Sequence, residues 1–291
     1  MTATPRWRQS ERALYGLGKT TMYACQYDQR FSYCLYVPLD HDEATEPYPI
    51  AVIVHGTNRP AQEYRDAFAE FAEAHKCVVL SPLFPAGIPD RGNLNNYKFI
   101  KHGGIRFDHV LLAMLDEVAE TYNVDKERFL LHGFSGGGHF AHRFLYLHPD
   151  RLLGVSIGAP GVVTLLDDEH DWWVGVRNLE EEFGIAPDLD AMRQVPVLMV
   201  IGGNDTETWE ITLKPGHRLW MKGADLAGAN RLQRVESLKA SFERHGIAVR
   251  HEVVPGVGHE GYKILDVVRN FFAESLVRYR AVEQAAPLTA N

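Results

Sequence analysis

A serine set among glycines, Gly133-Phe134-Ser135-Gly136-Gly137, is the residue best placed to do chemistry in this 291-residue chain. The spacing is G-x-S-x-G, where an apolar run (128–132) meets a helix-like run (138–148). A hydroxyl at such a junction is lifted onto a tight turn at a strand end, and the next backbone N–H, that of Gly136, points at whatever the serine attacks. A serine hydroxyl is a weak nucleophile at neutral pH. It needs a base within hydrogen-bond reach, itself oriented by a carboxylate. The sequence offers one of each after an apolar run: Asp205 in Gly202-Gly-Asn-Asp205, and His259 in Pro255-Gly-Val-Gly-His259. The chain order Ser135, Asp205, His259 is the one that accompanies a nucleophile elbow on a parallel sheet. Asp205 could instead cap a following helix, in which case Asp167, Asp168 and Asp225 are the substitutes.

Acyl transfer also needs donors for the oxyanion. His55-Gly56-Thr57-Asn58 follows the apolar run 50–54, and its glycine permits a turn that aims a backbone N–H inward. The Thr57 N–H is expected to pair with that of Gly136, with Asn58 as the alternative. Phe134 is expected beside the serine. Trp172, Trp173, Trp209 and Trp220 fall in two irregular segments, where they either anchor loops or line an apolar pocket. The expected substrate contacts are therefore Asn58, Phe134, Trp172, Trp173 and Trp209.

Fourteen histidines invite a metal reading, and His139 and His142 share a helix face. No HExxH or paired-cysteine spacing occurs, so no metal is expected and His139 is read as packing under the elbow. The proposed chemistry calls for no organic cofactor. Three cysteines make no even disulfide framework. Cys25 and Cys34 flank a hairpin turn and could face each other across it, reduced or bonded; Cys77 reads as core.

These side chains must be carried by a common scaffold. Strand-like runs lie at 20–26, 30–38, 50–54, 77–80, 129–131, 152–157, 195–201 and 247–254. Helix-like runs lie at 62–75, 104–122, 137–148, 232–245 and 261 to about 280. The first two strands read as an antiparallel hairpin. The later alternation of strand and helix implies a mostly parallel eight-stranded sheet with helices on both faces. All three reactive side chains follow strand ends, so they should converge on one edge of it. Segments 161–194 and 206–230 interrupt the alternation and are read as a small cap within a single domain, 1–291. Residues 284–291 are read as a loose tail.

With 45% hydrophobic residues the chain can bury a full core. A formal net charge of -8 without a basic cluster argues against a nucleic-acid partner and disfavours polyanionic substrates. The first residues lack a signal-like apolar core and no run is long enough to cross a bilayer, so a soluble, cytoplasmic protein with no membrane partner is expected. Oligomeric state stays open, a homo-oligomer included.

Several segments together resemble the α/β-hydrolase superfamily, and within it the esterase branch of polyhydroxybutyrate depolymerase-like and feruloyl esterase-like enzymes. They are Leu35-Tyr-Val-Pro38, the His55-Gly56 turn, Tyr122 to Arg128 leading into the elbow, His148-Pro-Asp-Arg151, and the Pro255 to His259 turn. The resemblance implies a serine hydrolase that cleaves carboxylic esters through an acyl-enzyme. A secreted depolymerase would carry a leader and often a substrate-binding domain; neither is read here, so a small-molecule ester is the expected substrate. Three rivals stand beside this reading: an amidase or peptidase using the same residues, a non-hydrolytic lyase, and a catalytically silent binding protein.

Overall fold

The computed structural model describes residues 12–285. Eight strands form one sheet: β1 (Gly18–Ala24), β2 (Ser32–Val37), β3 (Tyr48–Val54), β4 (Val78–Leu83), β7 (Val124–Phe134), β8 (Leu152–Gly158), β9 (Val197–Gly202) and β10 (Val249–Val254). A separate two-residue hairpin supplies β5 (Lys101–His102) and β6 (Ile105–Arg106). The order across the main sheet is β1-β2-β4-β3-β7-β8-β9-β10. β1, β2 and β4 pair antiparallel, whereas every pairing from β4 through β10 is parallel.

The residue types explain the order. β8 and β9 are buried along their whole length and apolar almost throughout, as strands covered on both faces must be. β10 has no fully buried position and carries Arg250 and Glu252, which suits an edge. Helices connect and cover the strands: α1 (Ala61–Ala67), α2 (Ala69–His75), α3 (Phe107–Thr121), α4 (Gly136–Leu147), α5 (Leu179–Phe183), α6 (Leu189–Gln194), α7 (Arg231–Arg244) and α8 (Leu265–Ala285). Every residue of α4 is buried, so the helix behind the serine is held from all sides. No helix among the described residues is long and apolar enough to cross a membrane.

Several boundaries differ from the sequence reading. The helix expected over 62–75 is broken at Phe68, whose φ of −104° and ψ of 6° leave the α region. The one expected from Gly104 starts at Phe107, because Gly103 and Gly104, both with positive φ, turn the β5–β6 hairpin. Cys25 and Cys34 do not face each other. A register shift between Lys19 and Met22 sets Met22 opposite Cys34, and Cys25 lies beyond β1. All three cysteines are free and buried, and burial pushes each thiol up, to about 11 for Cys25 and Cys34 and about 12 for Cys77. Of the expected tail, residues 284 and 285 belong to α8; the rest lies outside the described residues.

The two interrupting segments pack together. Trp173 donates from Nε1 to the Leu219 carbonyl at 3.0 Å, and Arg234 of α7 donates to the carbonyls of Gly161 and Ile211. A satellite apolar cluster of Phe99, Val162, Trp173, Val174 and Ala224 fills the space between.

Candidate active site

Of the five consecutive parallel strands β3, β7, β8, β9 and β10, all but β8 hand a functional group to the following loop at one edge of the sheet. β7 leads into Ser135, whose φ of 55° and ψ of −113° are costly for a residue with a Cβ. The surroundings hold it there: its N–H donates to the Gly158 carbonyl at the end of β8 (2.8 Å), and its carbonyl accepts from the His139 N–H (3.1 Å). β9 leads into Asp205, β10 into His259 and β3 into His55-Gly56-Thr57.

The Asp205 and His259 loops are laced together. Gly203 N–H donates to the Val254 carbonyl and Asn204 N–H to that of Val257, both at 2.8 Å. A Cβ on Gly202 would stand 2.4 Å from both the Val257 and the Gly258 carbonyl oxygens, so only glycine allows this approach. The result is a continuous relay. His259 Nδ1 lies 2.6 Å from Asp205 Oδ2, and His259 Nε2 lies 2.9 Å from Ser135 Oγ. A carboxylate accepts only, so Nδ1 carries the imidazole proton and Nε2 offers its lone pair to the serine hydroxyl. The imidazole also packs on the Phe134 ring, 4.7 Å between centroids.

Asp205 is buried, with a second partner that the sequence did not announce. Arg231, at the start of α7 and equally buried, donates from Nη1 to Asp205 Oδ1 (3.2 Å) and from Nη2 to Glu210 (2.6 Å). The aspartate is thus fixed at both oxygens. The substitutes sit elsewhere: Asp167 binds His170 at 2.6 Å, and Asp168 and Asp225 have no hydrogen bond to His259.

Two backbone N–H groups lie near the serine: Gly136 follows it in the chain, and a Cβ on Gly56, the residue before Thr57, would lie 3.7 Å from Ser135 Cβ. Among the described residues, neither the Thr57 N–H nor the Gly136 N–H donates to a protein acceptor. A Cβ on Gly136 would lie 3.3 Å from the Thr57 nitrogen, which puts the two peptides side by side. His55 orients the first of them. Its Nε2 accepts the Phe84 N–H (3.0 Å), so its Nδ1 carries the proton and donates to the Gly56 carbonyl (2.9 Å). In a trans peptide the carbonyl and the following N–H point opposite ways. Holding the Gly56 oxygen on His55 therefore turns the Thr57 N–H away from it. Burial pushes the His55 imidazole down to about 3, which keeps it neutral for this double role.

Ser135 lies between two clefts. One encloses about 510 Å³ counting space open to solvent, and is lined by Thr57, Lys98, Phe99, His139, Ile211 and Leu219 among others. The second, about 1000 Å³ on the same measure, is lined by Asn58, Tyr64, Phe134, His259 and Tyr262 among others. Of the expected substrate contacts, Asn58 and Phe134 line the second cleft. The tryptophans do not: Trp172 packs on Phe183, Trp173 on Phe99 and the Leu219 carbonyl, and Trp209 is 77% exposed, none lining either cleft. An aromatic in a loop finds whichever apolar surface the loop meets, and sequence does not show which.

The His139 imidazole lines the smaller cleft and faces the segment overhead. Its Nε2 accepts the N–H groups of Gly161 (2.8 Å) and Val162 (3.1 Å), tying α4 to the segment overhead. Burial first, then the charges of Lys98 and Arg143, hold this imidazole well below its ordinary value and so neutral. The sequence reading passed over residues 84–100, which bring Tyr97, Lys98 and Phe99 to the serine. A signal was present, since this long stretch rich in proline, glycine and asparagine follows a strand at the ligand edge.

No family model matches this chain, and no curated protein matches its sequence. Solved structures do. A poly(3-hydroxybutyrate) depolymerase from Bordetella parapertussis superposes with a TM-score of 0.71 at 23% identity, covering 92% of this chain and 97% of that one. Poly(aspartic acid) hydrolase-1 from Sphingomonas sp. KT-1 gives 0.67 at 22% identity over 82% of this chain and 92% of the other. Dipeptidyl peptidase 4 from Porphyromonas gingivalis gives 0.53 at 17% identity, covering 89% of this chain and 35% of its own. On its sheet order, its strained serine turn and these likenesses, the chain has the α/β-hydrolase fold.

Proposed function

We propose that this protein is a serine hydrolase acting on carboxylic esters through Ser135, His259 and Asp205. The observation that carries the reading is the unbroken relay from a strained serine to a buried carboxylate, beside two backbone N–H groups with no other acceptor among the described residues. His259 Nε2 takes the hydroxyl proton as Oγ attacks the ester carbonyl, and Asp205 stabilises the imidazolium that forms. The Thr57 and Gly136 N–H groups receive the oxyanion. The imidazolium protonates the departing alcohol, leaving an acyl-enzyme; the neutral imidazole then activates water, and hydrolysis returns the acid and the free serine. The leaving oxygen has to be within reach of His259, which lines the larger cleft with Phe134 and Tyr262. The alcohol therefore belongs there and the acyl group in the smaller cleft. Names among the structural neighbours support hydrolysis in general, the depolymerase and the poly(aspartic acid) hydrolase included.

The test is turnover of an ester panel by the wild type and Ser135→Ala, with labelling by a fluorophosphonate probe. Loss of the hydroxyl should abolish labelling and lower kcat by about 10⁴-fold or more. Ester turnover that survives the substitution overturns the reading. The likeness to a peptidase favours amide cleavage as the second reading. A matched ester and amide decides between them, the amide reading requiring the higher kcat/KM on the amide.

A further inference from the structure

One group in the acyl cleft has no evident structural role. Lys98 sits on the short turn Asn96–Phe99, is only 7% exposed, and lines the smaller cleft together with Ser135. Its ammonium has three donors, and among the described residues the one protein acceptor it meets is the neutral Asn95 Oδ1 at 2.8 Å. Among the described residues no carboxylate lies within ion-pair distance of it. An unpaired charge in so dry a place is costly and needs a partner.

The neighbouring charges leave it in surplus. Glu210, the acid beside it, is bound to Arg231, and Arg231 also serves Asp205. Arg59 and Arg143 add positive charge nearby, His139 is neutral, and His217 lines the same cleft. The turn is braced, since Arg143 Nη1 donates to the Lys98 carbonyl at 2.8 Å. Phe99, Ile211 and Leu219 add apolar surface to the cleft that Lys98 lines.

We propose that Lys98 binds a carboxylate on the acyl part of the substrate, so that the enzyme prefers half-esters of short dicarboxylic acids over neutral esters of equal size. The proposal rests on Ser135 being the nucleophile, which places the acyl group on the Lys98 side. A single carboxylate is a different ligand from the polyanions that the overall charge of -8 disfavours.

The experiment compares monoethyl succinate and monoethyl glutarate with the corresponding ω-carboxamide ethyl esters, using the ratio of kcat/KM values so that effects common to both cancel. The wild type should favour the anionic ester by about tenfold or more, and Lys98→Met should lower that ratio by a similar factor, the range expected of one buried charge pair. The native protein offers a second readout. Burial brings the Lys98 ammonium down to about 8, against the pull of Glu210. The ratio should therefore fall as pH rises from about 7 to 9.5, where ordinary imidazoles are already neutral. A ratio near one, a ratio indifferent to Lys98→Met, or one flat across that pH range overturns the proposal.

Binding separates the two readings. Glutarate should raise the Tm of Ser135→Ala, and this shift should vanish in Ser135→Ala/Lys98→Met. Glutarate binding without any ester turnover by the wild type would sink the hydrolase reading and retain the anion site; turnover without anionic preference would do the reverse.

Discussion

Replacing Asp205 by asparagine tests the relay through hydrogen-bond logic alone. In the native site Oδ1 faces the Arg231 guanidinium at 3.2 Å and Oδ2 faces His259 Nδ1 at 2.6 Å. Arginine has donors and no acceptor, so the carboxamide must turn its oxygen to Arg231 and its NH₂ to His259. Nδ1 must then accept, which moves the imidazole proton to Nε2, against the Ser135 hydroxyl. In that tautomer the histidine cannot act as base. The opposite amide orientation loses a hydrogen bond to a buried charged group, worth about 1.5–3 kcal/mol, which leaves roughly one molecule in 10–150 competent. Losing the aspartate charge beside the imidazolium removes about 4 kcal/mol more at about 4 Å and an effective dielectric of about 20, a further factor of roughly 10³. Asp205→Asn should thus lower kcat/KM by about 10⁴-fold or more, read on an activated ester with the Tm followed in parallel. Adding Arg231→Met frees the amide to flip, and the double variant should recover about tenfold over Asp205→Asn. A folded Asp205→Asn protein within tenfold of wild type would refute the relay. A double variant no better than the single one would refute the orienting role of Arg231.

Two further outcomes follow from the packing. A Cβ on Gly136 would stand 2.4 Å from the Tyr97 hydroxyl, which is buried and donates to the His55 carbonyl, and 2.9 Å from Lys98 Cε. Gly136→Ala should therefore cost about 1–3 kcal/mol in urea unfolding and about 10²-fold in kcat/KM as the proposed oxyanion donor shifts; activity within threefold of wild type would contradict the placement. Burial holds His55 and His132 at about 3, and His139 and His142 well below the ordinary value. The unfolded chain binds protons at these groups below about pH 6.5 and the native one does not, so stability is present above that pH and is lost as pH falls towards the native values. Each contributes up to about 1.4 kcal/mol per pH unit. The urea midpoint at pH 5 should lie clearly below that at pH 7.5, and equal midpoints would show that these imidazoles are protonated in the native state.

How much could be read beforehand depends on the range of the interaction. The Gly133–Gly137 turn, the apolar runs 50–54 and 195–201 and the chain order of serine, aspartate and histidine are local patterns, and local backbone chemistry enforces them. From them follow the parallel sheet and the edge at which the three side chains meet. The break at Phe68 and the register that separates Cys25 from Cys34 escaped, because strand register and helix continuity answer to neighbours far along the chain.

The sequence by itself determined which residues have the chemistry and which strand ends carry them, since side-chain type and alternation are written residue by residue. Tertiary structure alone decided what surrounds them. It brought Arg231 to the second oxygen of Asp205, turned the Thr57 N–H by tethering the Gly56 carbonyl, buried Lys98 beside Ser135 and sent Trp209 outward. Each of these is a contact between distant segments whose energy depends on burial and distance, quantities that exist only once the chain has folded.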